Sequence, residues 1–188
     1  MKIAFTGTHV TGKTTLLNDY VTHIASVTNT KSVGFITGIA RGIIARGFPL
    51  NKDGNVDSYI NYINDQLNAE KQMELYDDFI CDRTLLSPLA YALVNRVLPR
   101  PYIPDYLIEM IENVWLLEKD RFDLYAYFPI EFDMPTLDDI HPPDENYRKQ
   151  IDEMIYSLLI KYNIKYTVIR GTRDERLNKL ISIIGDSG

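Results

Sequence analysis

The sequence has few of the residues that build disulfide frameworks or metal clusters. Its 188 residues include one cysteine, Cys81, and three histidines, His9, His23 and His141. A single cysteine excludes an internal disulfide and a cysteine-based zinc cluster, so we expect a reducing compartment. The histidines lack the spacing of metal ligands. A disulfide-stabilised secreted module and a His/Cys metal centre are therefore both excluded.

The sequence also lacks long apolar runs and an excess of positive charge. No apolar run approaches the roughly 20 residues of a membrane-spanning helix. The formal net charge is −6 and the pI is near 5.1, which does not favour a broad electrostatic grip on duplex DNA. A first strand is predicted within two residues of Met1, so we expect no secretion signal, no membrane partner and a cytoplasmic location.

The first strand leads into Gly7-Thr8-His9-Val10-Thr11-Gly12-Lys13-Thr14-Thr15, which fills every fixed position of G-x-x-x-x-G-K-[ST]. Such a loop aims backbone N–H groups at one point, next to a helix N-terminus, and so forms an anion cradle. Lys13 can reach the β and γ phosphates of a nucleotide, and the Thr14 hydroxyl can ligate Mg²⁺. The alternative is a glycine-rich turn that binds nothing. The strand before and the helix after it favour the phosphate loop.

Short apolar runs and helical patterns alternate along the whole chain, which predicts an α/β fold with a parallel sheet and helices on both faces. We expect one domain over residues 1–188. A polar, proline-containing connection with the start of the next helix, about 129–148, has the character of a lid. The predicted strands lie near 3–5, 33–37, 78–81, 122–128 and 166–169, and the predicted helices near 14–26, 57–76, 86–98, 105–119, 147–162 and 174–184.

Asp82 and Arg83 follow the third predicted strand, and ligands collect at the carboxyl ends of parallel strands. A carboxylate here can bind Mg²⁺ or accept a proton, and the guanidinium can hold an anion. The alternative is that Asp82 caps the next helix and Arg83 is a surface residue. Arg41 and Arg46 lie near the end of the second strand, where an acceptor would sit, or they are surface ion-pair partners.

The phosphate loop together with Ile80-Cys81-Asp82-Arg83-Thr84-Leu85-Leu86 resembles the P-loop nucleoside and nucleotide kinases. The chain is most similar to the NadR-like AAA-type ATPase/kinase group, which is ribosylnicotinamide kinase-like and has many phage members. Further stretches that resemble this group are Arg41 after the second strand, residues 129–141 and 147–152 as lid and lid helix, and Gly171 with Glu175-Arg176.

The resemblance implies a three-layer fold with sheet order 2-3-1-4-5, and phosphoryl transfer that uses ATP and Mg²⁺. For a phage protein the location would be the host cytoplasm. Lys13, Asp82, Arg83 and Arg148 are the catalytic candidates, Arg41, Asp82 and Arg83 the acceptor-binding candidates, and Thr14 and Asp82 the metal ligands. The ATP-binding candidates are Gly7, Thr8, His9, Val10, Thr11, Gly12, Lys13, Thr14, Thr15 and Arg173.

Two positions depart from the group's pattern. Gly38 stands where relatives often carry Glu, which leaves the acceptor open and shifts the base role towards Asp82. His141 stands where relatives often carry a lid arginine. Arg148 is the best replacement, since it could swing onto phosphates as a lid closes, although a solvated helix face is an equal alternative. Arg173 could stack on adenine.

The leading hypothesis is a kinase that moves the γ-phosphate of ATP to a nucleoside, nucleotide or related acceptor. A planar base could rest against Tyr59, Tyr62 and Tyr91, although core packing is the simpler interpretation of each. One alternative acceptor is a hydroxylated base in phage-type DNA, suggested only by Arg41, Arg46, Arg83, Arg96 and Arg100. Another alternative is a nucleotide-binding switch or ATPase without an acceptor. The oligomeric state stays open, with a homodimer among the options.

Overall fold

The computed structural model describes residues 1–26, 32–99, 101–133 and 144–185. Five parallel strands form one sheet in the order β2-β3-β1-β4-β5, which confirms the predicted α/β fold and sheet order. The strands are β1 (Lys2–Thr6), β2 (Val33–Ile36), β3 (Asp78–Asp82), β4 (Leu124–Tyr127) and β5 (Tyr166–Val168).

The register brings the carboxyl ends of the three central strands level. Phe5 of β1 pairs with Asp82 of β3, and Thr6 of β1 pairs with Tyr127 of β4. The chain leaves β1 at the middle of this edge, with the ends of β3 and β4 on either side. Residues 7–15 and Asp82 are therefore neighbours, as expected for a parallel sheet.

The helices lie close to their predicted positions. They are α1 (Lys13–Ser26), α2 (Ile39–Ala45), α3 (Val56–Glu70), α4 (Leu86–Asn95), α5 (Asp105–Glu118), α6 (Glu145–Lys161) and α7 (Arg173–Gly185), with short 3₁₀ turns at Asn51–Asp53, Lys71–Leu75 and Lys119–Arg121. Asn55 begins α3 with a capping box, since its side chain accepts from the Ser58 N–H and the Ser58 hydroxyl accepts from the Asn55 N–H. The predicted helix over 57–76 is shorter than expected, because the chain tightens into a 3₁₀ turn after Glu70.

Alternate residues of the sheet face two apolar cores. Ile3 and Phe5 pack with Leu16, Leu17 and Leu180 on the side of α1 and α7. Ala4 belongs to the larger core, which is filled by α3, α4, α5 and α6. This alternation gives three layers, helix–sheet–helix. Within the described ranges no helix has both the length and the apolar character needed to cross a membrane.

Candidate active site

The loop over residues 7–15, the phosphate loop, needs glycine at both ends. Gly7 has a φ of +145°, and a Cβ there would lie 2.4 Å from the Phe128 carbonyl oxygen. Gly12 has a φ of +84°, which other residues rarely adopt. Helix α1 starts at the next residue, Lys13. The loop therefore ends with its last amides at a helix N-terminus, the geometry of an anion site.

Lys13 is buried inside the loop. Its ammonium donates to the Thr8 carbonyl and to the Thr11 hydroxyl, the latter at 2.8 Å. Burial lowers the pKa of Lys13 well below its usual value, and the nearby charge of Arg83 lowers this pKa further. An anion in the loop would counter both effects and favour the charged form. The lysine therefore suits a phosphate ligand.

Asp82 ends β3 directly opposite the phosphate loop. Its Oδ2 accepts a 2.5 Å hydrogen bond from the Thr14 hydroxyl. Oδ1 is buried and has no hydrogen-bond partner among the described residues. Asp82 does not cap the following helix, because α4 starts at Leu86 with Leu85 as its N-cap residue. The Thr14 and Asp82 oxygens fit Mg²⁺, which prefers hard oxygen ligands.

Arg83 has an unusual backbone conformation, with a φ of +84°. Its N–H donates to the Phe5 carbonyl at 3.1 Å, and its side-chain Nη1 donates to the Gly7 carbonyl at 3.4 Å. Its own carbonyl accepts from the side chains of Gln66, at 3.1 Å, and Cys81, at 2.8 Å. These contacts hold the guanidinium next to the phosphate loop, so the surface interpretation of Arg83 is wrong.

A cavity of about 280 Å³ opens beside the phosphate loop, and we call it the main cavity because Asp82 and Arg83 line it, although the hollow lined by Arg173 and Arg176 is larger, at about 480 Å³. Arg41 lines it, as the acceptor interpretation predicted. Gly38 also lines it and has a φ of +81° at the start of α2, so a side chain there would strain the backbone. The other lining residues discussed below are Asp82, Arg83, Tyr59, Tyr62, Ser87 and Tyr91.

Two further residues that line the main cavity carry a buried side-chain oxygen with no hydrogen-bond partner in the described part of the chain. These oxygens are the hydroxyls of Tyr62 and Ser87, and Asp82 Oδ1 is the third unpartnered oxygen of the set. The Tyr59 hydroxyl differs, because it accepts from Asn95 Nδ2 at 3.1 Å. Burial raises the pKa of both tyrosines above the usual value, so they enter any contact as neutral groups.

His9 contributes more than a spacer to the loop. Its ring Nδ1 lies 3.1 Å from the Tyr91 hydroxyl and 3.4 Å from the Thr8 hydroxyl. Tyr91 in turn lies close enough to Arg83 to raise the pKa of its guanidinium. The ring therefore links the phosphate loop to the wall of the main cavity.

Arg148 is fully buried behind the phosphate loop, so the solvated-face interpretation is wrong. Its Nε donates to the His9 carbonyl at 3.2 Å, and its Nη2 donates to the Val10 carbonyl at 2.9 Å. Nη1 donates to the Phe132 carbonyl at 2.8 Å and lies 3.1 Å from Glu145. The structure thus ties the side chain to the loop's backbone.

Arg173 and Arg176 line a more open hollow on the other side of the loop. Arg173 is largely exposed and pairs with Asp19, with Nε 2.7 Å from Oδ2. Arg176 is buried, and its Nη1 donates to the Thr11 carbonyl at 2.8 Å. Its guanidinium also pairs with Glu131. We assigned Arg176 no role from the sequence, although its spacing from Leu180 and Ile184 places it on the buried face of α7.

Several predicted features take no part in this geometry. Residues 134–143, the middle of the predicted lid with His141, lie outside the described residues, as does Arg100. Arg46 pairs with Asp65, and Arg96 pairs with Asp105. Within the described ranges, no cluster of three or more His, Cys, Asp or Glu residues could hold a metal.

Solved structures with the same fold include two kinases and NadR. Deoxyadenosine kinase from M. mycoides matches with a TM-score of 0.66 and 15% identity over 99% of this chain and 100% of that one. NadR in complex with NR matches with a TM-score of 0.72 and 19% identity over 98% of this chain, which spans 50% of the NadR chain. Thymidylate kinase from Candida albicans gives 0.64 and 16% identity, over 99% of this chain and 91% of that one.

No curated protein sequence shows significant similarity to the chain. The sequence does match a family model. The model described as "AAA domain" matches residues 2–176, from β1 to the buried Arg176. This match covers the phosphate loop, Asp82-Arg83 and the walls of the main cavity. The chain therefore belongs to this AAA domain family, and its fold is that of the P-loop nucleoside and nucleotide kinases.

Proposed function

We propose that the protein is an ATP-dependent phosphotransferase that moves the γ-phosphate of ATP to a hydroxyl group of a nucleoside or related small acceptor. The observation that carries this proposal is the place of Asp82. One of its oxygens accepts from Thr14 of the phosphate loop, and the other is buried and unpartnered among the described residues, on a side chain that lines the main cavity. A single carboxylate thus joins a donor site to an acceptor site.

The donor side follows from the phosphate loop. Its amides and Lys13 would hold the phosphates of ATP, and Thr14 with Asp82 Oδ2 would hold Mg²⁺. Bound Mg²⁺ would neutralise the charge of the phosphates. Adenine would lie in the hollow lined by Arg173 and Arg176, which is open beyond the loop. Nucleotides bound by structural relatives, such as AMP-PNP in NadR, agree with this choice of donor.

The acceptor side follows from the main cavity. An acceptor hydroxyl oxygen would bond to the γ-phosphorus while the bond to the bridging oxygen of ADP breaks, and its proton would pass to Asp82 Oδ1. Arg83, tied to the Gly7 carbonyl, would stabilise the charge on the moving phosphoryl group. The tyrosines of the cavity would flank a planar base. Most of the catalysis would come from position and charge.

A nucleotide is the second candidate acceptor, because Arg41 and Arg83 both line the main cavity. A phosphate acceptor needs cations more than a base. The DNA alternative has weaker support, since Arg46 and Arg96 are each engaged by an aspartate. The third alternative, a switch or ATPase without an acceptor, leaves the main cavity without a role.

A transfer screen tests the proposal. Labelled ATP and Mg²⁺ are incubated with the protein and separate panels of nucleosides, nucleotides, nicotinamide riboside and hydroxylated-base DNA. We expect label on a nucleoside-type hydroxyl, with ADP formed in equal amount. ATP hydrolysis that no acceptor stimulates would overturn the kinase proposal, and label on a nucleotide phosphate or on DNA would replace the acceptor class.

A further inference from the structure

The carbonyl oxygens on the back of the phosphate loop are held by two buried arginines from distant helices. Arg148 of α6 binds the carbonyls of His9 and Val10, and Arg176 of α7 binds the carbonyl of Thr11. The side chains of both arginines are at most 4% exposed. Three successive peptide groups of the loop are therefore held through their carbonyl oxygens by buried guanidinium groups.

The geometry points to Arg148 and Arg176 as positioning residues that hold the phosphate loop in the shape that binds ATP. This inference rests on the proposed function. It replaces the swinging role that the sequence suggested for Arg148, because neither guanidinium needs to touch phosphate. Each would act through the loop backbone.

Peptide geometry explains how a bond to a carbonyl can position an amide. A trans peptide is planar, and its C=O and N–H point in opposite directions. Holding each of the carbonyls of residues 9, 10 and 11 against an arginine thus turns the N–H groups of residues 10, 11 and 12 away from that arginine. Those are the amides with which such a loop binds phosphates.

Val10 shows why the loop needs this support. It is a β-branched residue with a φ of +53°, a conformation that such side chains rarely adopt. The carbonyls on both sides of Val10 accept from one edge of the Arg148 guanidinium, Nε and Nη2. The planar fork of arginine suits this two-point contact, and the single ammonium of lysine does not. Arg148 therefore favours the strained conformation directly.

The same arginines connect the loop to residues 131–133, which lead out of β4. Arg148 Nη1 donates to the Phe132 carbonyl at 2.8 Å, and the Arg176 guanidinium lies 4.7 Å from the centre of the Phe132 ring. Arg176 also pairs with Glu131. A displacement of this segment would therefore move both arginines and, with them, the phosphate loop.

Equilibrium binding of ATP·Mg²⁺ to the whole protein tests the inference without any acceptor. We expect Arg148→Met and Arg176→Met each to weaken binding about tenfold, because each leaves loop carbonyls without their charged donor. Arg148→Lys keeps the charge but not the fork, so its dissociation constant should stay near that of Arg148→Met. Arg121→Met is the matched control, since Arg121 binds Glu118 and the Glu70 carbonyl away from the loop.

The outcomes are distinguishable. Failure of the wild-type protein to bind ATP would overturn the proposed function itself. Wild-type affinity in folded Arg148→Met and Arg176→Met proteins would overturn the positioning role alone, as would full rescue by Arg148→Lys, which would mean that charge suffices. If Arg148→Met does not fold, Arg148→Lys and Arg176→Met still decide. In the transfer assay, a fall in kcat with unchanged KM for ATP would contradict the positioning role and would indicate that Arg148 contacts the transferred phosphoryl group.

Discussion

In the phosphate loop, the carbonyl oxygens of Thr8 to Thr11 all accept hydrogen bonds from buried cations, whereas three residues that line the adjoining main cavity each carry a buried side-chain oxygen with no partner within the described ranges. The two regions share one wall, made by the end of β3. Unpartnered buried oxygens are costly, and native proteins keep few of them. The contrast indicates a loop whose shape is fixed in advance and a cavity whose polar groups are matched by a ligand.

The two regions also differ in where their supports come from. The loop is held by α6 and α7, on the side of β4 and β5. The main cavity is walled by α2, α3 and α4, on the side of β2 and β3. Substitutions in the first set should therefore alter the use of ATP, and substitutions in the second set should alter the use of the acceptor. The predictions below test that division.

Lys13→Ala should have the largest effect. Removing the only ammonium inside the loop deprives the phosphates of a direct charge contact, so transfer should fall about 10⁴-fold. The fold should persist for two reasons. Burial of the Lys13 ammonium is unfavourable, as its lowered pKa indicates, and the ammonium donates only to residues of the loop. Steady-state kinetics and circular dichroism measure the two effects. Unchanged turnover would contradict the proposal that the phosphate loop and Lys13 bind the phosphates of ATP.

Asp82→Asn should come next, because Asp82 serves both regions. The amide cannot accept a proton as the carboxylate does, so kcat should fall about 10³-fold while the affinity for ATP changes much less. Separate measurements of kcat and of the dissociation constant of ATP show which of the two changes. A loss of thermal stability with normal turnover would show instead that the Thr14–Asp82 bond is only structural.

Much of the donor half was predicted from the sequence, and much of its support was not. The fixed positions of the phosphate loop, the strand order and Asp82 at the end of β3 follow from local patterns and a family resemblance. Arg148 was named as a candidate from the sequence, but its burial was not predicted, because a charged residue on a helix is usually solvated. The signal was present: Arg148, Ile151 and Ile155 share one helical face. A cation on an apolar stripe indicates a buried partner.

The main cavity was predicted in part: Tyr59, Tyr62 and Tyr91 were named from the sequence as possible contacts of a planar base, but Ser87 was not, because these residues carry no fixed spacing. Tyr62 and Ser87 come from different helices and meet only in the folded chain. Gln66 of α3 donates to the carbonyl of Arg83, a residue with a positive φ that lies 17 positions away in the sequence. Local sequence patterns cannot show such long-range contacts. The middle of the lid, where His141 lies, is outside the described residues, so its role stays a prediction.

The pH dependence of stability tests the core beneath the main cavity. Burial raises the pKa of Glu70 from 4.5 to about 7, although its bond from Gln66 lowers this pKa and Arg121 opposes burial too. Between these values the folded protein keeps a proton that the unfolded chain releases. The free energy of unfolding should therefore fall by up to about 3 kcal/mol as the pH rises from 4.5 to 7.

Glu70→Gln should remove most of that fall, because glutamine does not titrate. Urea unfolding of both proteins between about pH 4.5 and pH 8 measures the slopes. Cys81 and Glu118 also lie near Glu70, and they are the same in both proteins. Equal slopes in the two proteins would show that Glu70 titrates normally and that Gln66, which donates to the Arg83 carbonyl, also donates to an ionised carboxylate.

Tyr62→Phe should have the smallest effect. It tests directly whether an acceptor supplies the missing hydrogen-bond partner in the main cavity. Its hydroxyl has no partner in the described structure, so its removal should leave the free energy of unfolding unchanged or slightly higher. If the acceptor supplies the missing partner, the KM for acceptor should rise about five- to tenfold while the KM for ATP stays constant. Tyr59→Phe is the matched contrast, because the Tyr59 hydroxyl is already bonded to Asn95.

Losing the Tyr59 bond should cost about 1 kcal/mol of stability, as for an ordinary buried hydrogen bond. The two substitutions remove the same atom from the same cavity wall, so only the partner differs. A stability loss in Tyr62→Phe with an unchanged KM for acceptor would mean that its hydroxyl is satisfied within the protein. The main cavity would then be held as fully as the phosphate loop, and the division between a preformed donor site and a ligand-completed acceptor site would fail.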